Sequence, residues 1–347
     1  MLARGTALFM GLIGLSGASL AQAPAHSADP ALIAAAEKEG KVAFYTTWIV
    51  DQLAKPMADA FQKQYPKVKV DFVRGDSNQN LLRLMNEKRA GQPRSDVWSL
   101  SAGIGELAAL DGVEKLDTLP SVRTMPDEFK DKNGLWAAYY ISVHTPSYNT
   151  NMVAQKDVPH TFQDLLDPKW KGKMVLKRGD NTGSSGFIAN VLITMGDDKG
   201  RAYLRDLAKQ NLIGYGGSVR AMLDNVIAGE YPLGLHTTNV HAALSKAQGA
   251  PVQWIPIEPV AVSMTSGGLT KGGPNPNAGK LFLDFVLSAA GQNVMRENGY
   301  LSVRPDVPAM YPELKPDHGG FKANVIRPDM IDANLSKWAA LEKDLLH

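Results

Sequence analysis

Apolar and polar positions along this chain alternate between two spacings. Lys41-Val-Ala-Phe-Tyr45 reads as a buried strand, and Asp51 to Tyr65 then switches to helical spacing, with Leu53, Met57, Ala60 and Phe61 on one face. Pro56 fits best in a first turn, which leaves the start of that helix open. Val68-Lys-Val-Asp-Phe-Val73 alternates as a second strand, Asn80 to Ala90 follows as a helix, and Asp96-Val97-Trp98 begins a third strand. Strand, helix, strand, helix, strand at this spacing predicts a mostly parallel sheet covered by helices on both faces.

The middle of the chain repeats the theme. Trp136 to Tyr148 is extended and aromatic, which suits a segment crossing into a second lobe. That lobe is expected to hold the strand Lys173 to Leu176, a helix after Gly183, the helices Asp198 to Gln210 and Val219 to Ala228, and the strand Pro232 to His236. Val252 to Met264 is extended again and carries the chain back, where helices Ala278 to Leu287, Ala290 to Asn298 and Asp329 to Leu346 complete the first lobe. The expected division is 24–140 for the first part of lobe one, 141–258 for lobe two and 259–347 for the rest of lobe one. Two crossings make a two-segment hinge, and a cleft between such lobes is a common place for a ligand.

Composition sets the compartment and removes several functions. Arg4, the apolar run Ala7 to Leu15 and the small-residue sequence Ala21-Gln22-Ala23 form a secretory leader, residues 1–23, with cleavage expected after Ala23 and the periplasm as destination. The run is shorter than the about 20 residues a membrane span needs. There is no cysteine, which excludes disulfides, thiolate metal sites, a cysteine nucleophile and a lipidated N-terminal cysteine. Stability must therefore come from core burial alone. With 37 basic against 35 acidic residues and no basic stripe, nucleic acid is not an expected partner.

Several segments together carry a specific resemblance. Gly268-Leu-Thr-Lys-Gly-Gly-Pro-Asn-Pro-Asn-Ala-Gly-Lys-Leu-Phe-Leu-Asp-Phe-Val-Leu-Ser288, Gly291-Gln292 and Gly299-Tyr300-Leu-Ser-Val-Arg304 closely resemble the family-one extracellular solute-binding proteins of ABC importers. Ser147-Tyr148-Asn149-Thr150 looks like that family's crossing strand, and Pro168-Lys169-Trp170-Lys171-Gly172-Lys173 like its entry into the second lobe. The nearest branch covers ferric iron, phosphonate, polyamine, thiamine and sugar-phosphate receptors. The resemblance implies the two-lobed type II periplasmic-binding-protein fold, an α/β architecture in which each lobe is a mixed sheet flanked by helices and two crossing strands form the hinge. It further implies a non-catalytic, monomeric receptor without cofactor that hands a small solute to a permease in the inner membrane.

Ferric members typically hold iron with two adjacent tyrosines, often with a histidine and a glutamate. This chain reads Leu235-His236-Thr237-Thr238-Asn239-Val240-His241 where the tyrosines belong, Thr46-Thr47-Trp48-Ile49 where the histidine belongs and Ser99-Leu100-Ser101 where the glutamate belongs. A hard trivalent cation favours anionic oxygens, so iron is disfavoured and a ferric receptor with unusual ligands stays as the alternative. His236 and His241 are open to a metal-ligand and a structural reading.

The remaining candidates are hydroxyls and backbone donors. The loop Asp180-Asn-Thr-Gly183-Ser184-Ser185-Gly186 leads into a helix, and Gly216-Gly217-Ser218 precedes another. Helix N-termini favour anions; Ser184 and Ser218 equally suit capping of their own helices. In the first lobe Thr46, Thr47, Trp48, Ser77, Ser99 and Ser101 sit at strand ends, where open α/β sheets bind ligands. Trp48 suits either stacking on a solute or packing between lobes. Thr237 and Asn239 complete the candidate ligand set, and Arg74, Arg178 and Arg220 are candidate partners for a carboxylate or phosphate. The expected solute is therefore a small anion. An enzyme is the rival, but no G-x-S-x-G elbow, H-E-x-x-H or P-loop occurs. A cytoplasmic regulator on the same fold would bring a DNA-binding segment in place of a leader.

Overall fold

The run from Lys41 to Thr46 does form a strand, and its register sets the first half of the molecule. The structure, a computed structural model, describes residues 26–179 and 183–346; the leader, with its cleavage site, and Asp180 to Thr182 of the candidate anion loop lie outside the described residues. Helix α1 (Pro30–Glu39) leads into β1 (Lys41–Thr46), α2 (Lys55–Gln64), β2 (Lys69–Arg74), α3 (Ser77–Arg89) and β3 (Val97–Leu100). The short α4 (Ile104–Ala109), β4 (Val113–Glu114) and α5 (Pro120–Arg123) precede the long β5 (Ala137–Asn149). Then come β6 (Met174–Lys177), α6 (Ser184–Met195), α7 (Asp197–Ala208), β7 (Ile213–Tyr215), α8 (Val219–Ala228), β8 (Leu233–Thr238), α9 (Asn239–Ala247) and β9 (Val252–Trp254). The chain returns through β10 (Val260–Thr270) to α10 (Pro276–Leu287), α11 (Ala289–Glu297), β11 (Leu301–Ser302), α12 (Pro316–Gly319), β12 (Ala323–Ile326) and α13 (Pro328–Leu345).

Local chemistry accounts for where the elements start. Asp29 caps α1 by accepting from Ala31 N–H at 2.8 Å, and Gly40 ends it in the left-handed conformation at φ 75°. Pro56 stands in the first turn of α2, as its geometry requires, so the helical region that begins near Val50 becomes regular only at Lys55. Helix α3 begins at Ser77, three residues before the hydrophobic pattern predicts, because Asp76 and Gln79 form a reciprocal capping box. The Pro-Asn turn before α10 is held by two carboxylates: Glu39 accepts from Ala278 N–H at 2.7 Å, and Asp96 accepts from Asn275 N–H at 2.5 Å.

The strands order as β2-β1-β3-β10-β5-β8-β6-β7 in one mixed sheet. β1 runs parallel to β2 and β3, and β6 runs parallel to β7 and β8. β10 and β5 are antiparallel to each other and shared by both halves. β3 pairs with β10 and ends with Leu100 opposite Ser266, whereas β8 pairs with β5 and ends with Thr238 opposite His144, itself opposite Ala261. The carboxyl ends of the two strand sets therefore approach the middle of β5 and β10 from opposite directions.

The apolar interior divides in the same way. One cluster joins Phe44, Trp48, Phe61, Trp98, Tyr139 and Phe282, with Phe44 and Trp48 edge-to-face at 4.9 Å. A second joins Tyr148, Leu176, Phe187, Leu207 and Leu235 with Ile331 and Trp338 of α13. Helix α13 was expected on the first lobe; its apolar face instead packs on α6 and α7. β10 lies close against two rings of the first cluster: a Cβ on Gly267 would stand 1.9 Å from Tyr139 Cζ, and one on Gly268 2.1 Å from Trp98 Cζ2. Gly267→Ala is expected to cost about 2–3 kcal/mol through overpacking, read as a lower urea midpoint at unchanged slope; an unchanged midpoint would mean the ring yields freely.

Candidate functional site

The strand ends gather the hydroxyls of the first half. Thr47 Oγ1 lies 2.8 Å from Ser99 Oγ, and Ser77 Oγ accepts from Ser101 N–H at 2.9 Å. Thr47, Ser77 and Ser101 are partly exposed, so they form a polar rim at the ends of β1, β2 and β3. Thr46 is fully buried, and its hydroxyl accepts from Trp48 N–H at 3.0 Å, shaping the turn. Trp48 is 1 % exposed and packs against Phe44 and Tyr139, so in this conformation it is part of the core and makes no open stacking face. Arg74 is exposed, with Nε donating to Trp48 O at 3.2 Å.

On the other side, the ends of β6 and β7 stand together, since Lys177 pairs with Tyr215. Ser184 and Ser185 open α6 and are buried; Ser184 Oγ and Ser185 N–H both donate to Gly179 O, at 3.2 and 3.4 Å. Gly186 is buried in the same turn. Helix α6 has Gly183 as its cap, with no side-chain cap and no acidic residue in the first turn, and Arg178 lies just upstream. Ser218 is exposed and caps α8 by accepting from Ala221 N–H at 3.1 Å. Arg220 pairs with Asp224 at 2.8 Å, and Arg178 Nη1 donates to Leu346 O at 3.1 Å, so both candidate cations are engaged within the chain.

Thr237 and Asn239 sit deeper. Thr237 Oγ1 donates to Thr145 O at 2.9 Å and meets Ser147 Oγ at 2.5 Å; Asn239 Nδ2 donates to Leu314 O at 2.8 Å. These bonds tie β8 to β5 and α9 to the segment before α12. His236 stacks on His144 with ring centroids 4.6 Å apart, and His144 Nε2 meets Ser263 Oγ of β10 at 2.8 Å. Burial, with His144 and Lys177 nearby, holds the His236 imidazole well below its ordinary value. His241 is lowered to about 4, by burial first and then by the Arg220 cation. Both are kept neutral by packing, and among the described residues no group of three histidines, cysteines or carboxylates could hold a metal.

Three further polar residues were not singled out from sequence. Tyr140 of β5 meets Tyr300 edge-to-face at 4.8 Å, its hydroxyl bonded to Thr265 of β10. Asn80, fully buried in the first turn of α3, has neither amide atom partnered among the described residues, and its Oδ1 would stand 2.5 Å from a Cβ on Gly75. Gly299-Tyr300 was read only as a fold segment, and Asn80 only as the start of a helix.

Two strand sets converging on a pair of shared strands, with a polar rim on one side and a glycine-capped helix start on the other, define a type II periplasmic-binding-protein fold. The model of the bacterial extracellular solute-binding protein family matches residues 105–320, and the chain belongs to that family. AfuA of Actinobacillus pleuropneumoniae, a periplasmic binding protein solved with fructose-6-phosphate bound, is 25 % identical with a TM-score of 0.71, over 88 % of this chain and 99 % of that one. Iron-bound HitA of Pseudomonas aeruginosa is 22 % identical with a TM-score of 0.73 over 88 % and 99 %. Iron uptake protein A1 of a Synechocystis strain is 22 % identical over 246 residues, 67 % of this chain and 68 % of that protein. The chain is thus a solute-binding protein of ABC import, of a family whose members bind for transport and do not catalyse. No helix among the described residues is long and apolar enough to cross a membrane.

Proposed function

We propose that the chain captures a small anionic solute, carrying a carboxylate, phosphonate or phosphate ester, between a lobe of residues 24–140 with the returning segment that begins at 259 and a lobe of residues 141–258 on which helix α13 packs. The start of α6 carries this reading. Its glycine cap and first turn free of acidic side chains offer the positive helix end to a ligand. The hydroxyl rim of Thr47, Ser77 and Ser101 grips the solute from the other lobe, with Thr46, Thr237 and Asn239 shaping the walls. Ligand contacts from both sides favour the closed state by differential affinity. The leader of residues 1–23 sends the protein to the periplasm, and the closed monomer delivers its cargo to an inner-membrane ABC permease.

A thermal-shift panel tests the solute class. Fructose 6-phosphate, inorganic phosphate, 2-aminoethylphosphonate, citrate and glucose are each added at millimolar concentration. An anion at about one hundred times its Kd adds ~2.7 kcal/mol, a shift of several degrees. A shift with glucose and none with any anion would sink the reading. The ferric alternative draws on the Tyr140–Tyr300 contact, since phenolate oxygens suit a hard trivalent cation. Visible absorbance on ferric citrate addition, lost in Tyr300→Phe, would favour it.

A further inference from the structure

Helix α13 touches both halves of the molecule. Ile331, Trp338, Leu345 and Leu346 are buried in the apolar cluster of α6 and α7. Glu342 Oε1 accepts from Gly179 N–H at 3.0 Å, and Lys337 Nζ lies 2.5 Å from Asp197 Oδ1. At its first turn the helix faces the other way. Asp332 Oδ1 accepts from Gly103 N–H at 2.7 Å and Oδ2 from Gly105 N–H at 3.3 Å, at the start of α4. Arg327, just before the helix, donates to the carbonyls of Asp127, Glu128 and Lys130 and lies over the Trp136 ring at 5.0 Å.

The α4 entry is shaped for that carboxylate. Gly103 has φ 76°, a conformation that costs other residues strain and that presents its N–H outward. A Cβ on Gly105 would stand 3.5 Å from Asp332 Oδ2, an ordinary contact, so it is the two backbone N–H groups that seat the carboxylate. Gly103 follows Ser101 by two positions, and Ser101 N–H is itself held by Ser77 Oγ. The loop after β3 is therefore fixed between a hydroxyl of its own half and a carboxylate on a helix whose apolar face belongs to the other half.

We propose that Asp332 is the latch of hinge closure, a positioning residue that holds the Ser101 loop against the half on which α13 is seated. The proposal rests on the two-lobe closing reading above. When the halves part, α13 stays with the side that buries Trp338 and Leu345, because removing that face from its cluster exposes apolar area. The contacts that break include the two bonds of Asp332. They are charge-assisted, and they hold the closed state without touching the solute.

The chain has no cysteine, so one label on each half is straightforward. Lys63→Cys and Arg205→Cys, both exposed, carry spin labels for a distance measurement on the solute-free protein. Asp332→Asn is expected to raise the ratio of long to short distances about tenfold, equal to ~1.4 kcal/mol. Lys337→Ala, which breaks a contact only within the second half, is expected to leave the ratio unchanged. If Asp332→Asn does not fold, Asp332→Glu, which displaces the carboxylate, is expected to move the ratio the same way by less. Two populations in the parent that neither Asp332 variant shifts would overturn the latch and leave hinge closure standing. A single distance in the parent and all variants, with or without the anion panel, would overturn hinge closure and the latch with it.

Discussion

Asp96→Ala is expected to lower the unfolding free energy by about 3–5 kcal/mol at neutral pH. Asp96 is 2 % exposed, at the residue just before β3. Its Oδ2 accepts from Ala43 N–H at 2.7 Å and Asn275 Nδ2 at 3.0 Å, and its Oδ1 accepts from Asn275 N–H at 2.5 Å. One side chain thus joins β1, β3 and the turn that starts α10. Alanine leaves three buried donors without an acceptor, and each unsatisfied donor costs about 1–3 kcal/mol. Backbone cannot close the gap, since Gly273 and Gly279 already approach Asp96 as nearly as a missing Cβ allows. Asp96→Asn keeps one acceptor and is expected to cost less, about 1–2 kcal/mol. Urea unfolding of both variants decides it. A loss below about 1 kcal/mol for alanine would show that the carboxylate is not what fastens these elements. Because β3 delivers Ser99 and Ser101 to the rim, the same variant is also expected to weaken capture of any solute gripped there.

Elements with strong periodicity were legible in the sequence, and so was the crossing of the chain between halves. β1, β2, α8 and α10 lie within a few residues of where their patterns place them, since a buried face imprints its period directly. Helix α1 was not read because Ala-Leu-Ile-Ala-Ala-Ala lacks a polar face to mark a period, and only its Asp29-Pro30 start gives a signal. The short β4, β11 and β12 owe their existence to pairing with distant strands, which no local window contains. The position of α13 was hidden for a similar reason: an amphipathic pattern states that a face is buried and not which core buries it. Site residues divide likewise. Hydroxyls at strand ends were legible as a class, whereas the pairing of β5 with β8, with an irregularity between Thr145 and Ser147, decides that Thr237 faces inward. The stacking of His144 on His236 follows from that same pairing and leaves no trace in local sequence.

Acid is expected to loosen the fold between pH 6.5 and pH 4 through two histidines, the buried His236 and the half-buried His241. His241 in the folded protein is lowered to about 4 because burial, and then the Arg220 cation, disfavour its charged form, while Asp224 opposes weakly. In the unfolded chain the imidazole returns to about 6.5. Between those values the unfolded state binds the extra proton, so unfolding free energy falls as pH falls. Full stability is present above pH 6.5, and His241 alone removes roughly 2 kcal/mol by pH 4.5. His236 is lowered further by burial beside His144 and Lys177 and works in the same direction. Asp96 has the opposite sign: burial raises its carboxyl, which therefore favours the folded state as pH falls. The wild-type curve sums these effects, and the difference from His241→Gln isolates one of them. Urea unfolding at pH 7.5, 6.5, 5.5 and 4.5 should give curves that differ by about 2 kcal/mol more at the acid end than at the neutral end. Ring-proton NMR supplies the direct check. If the His241 resonance in the native protein titrates near 6.5, the acid sensitivity assigned to it is wrong, and the ring is open to water rather than packed between α8 and α9.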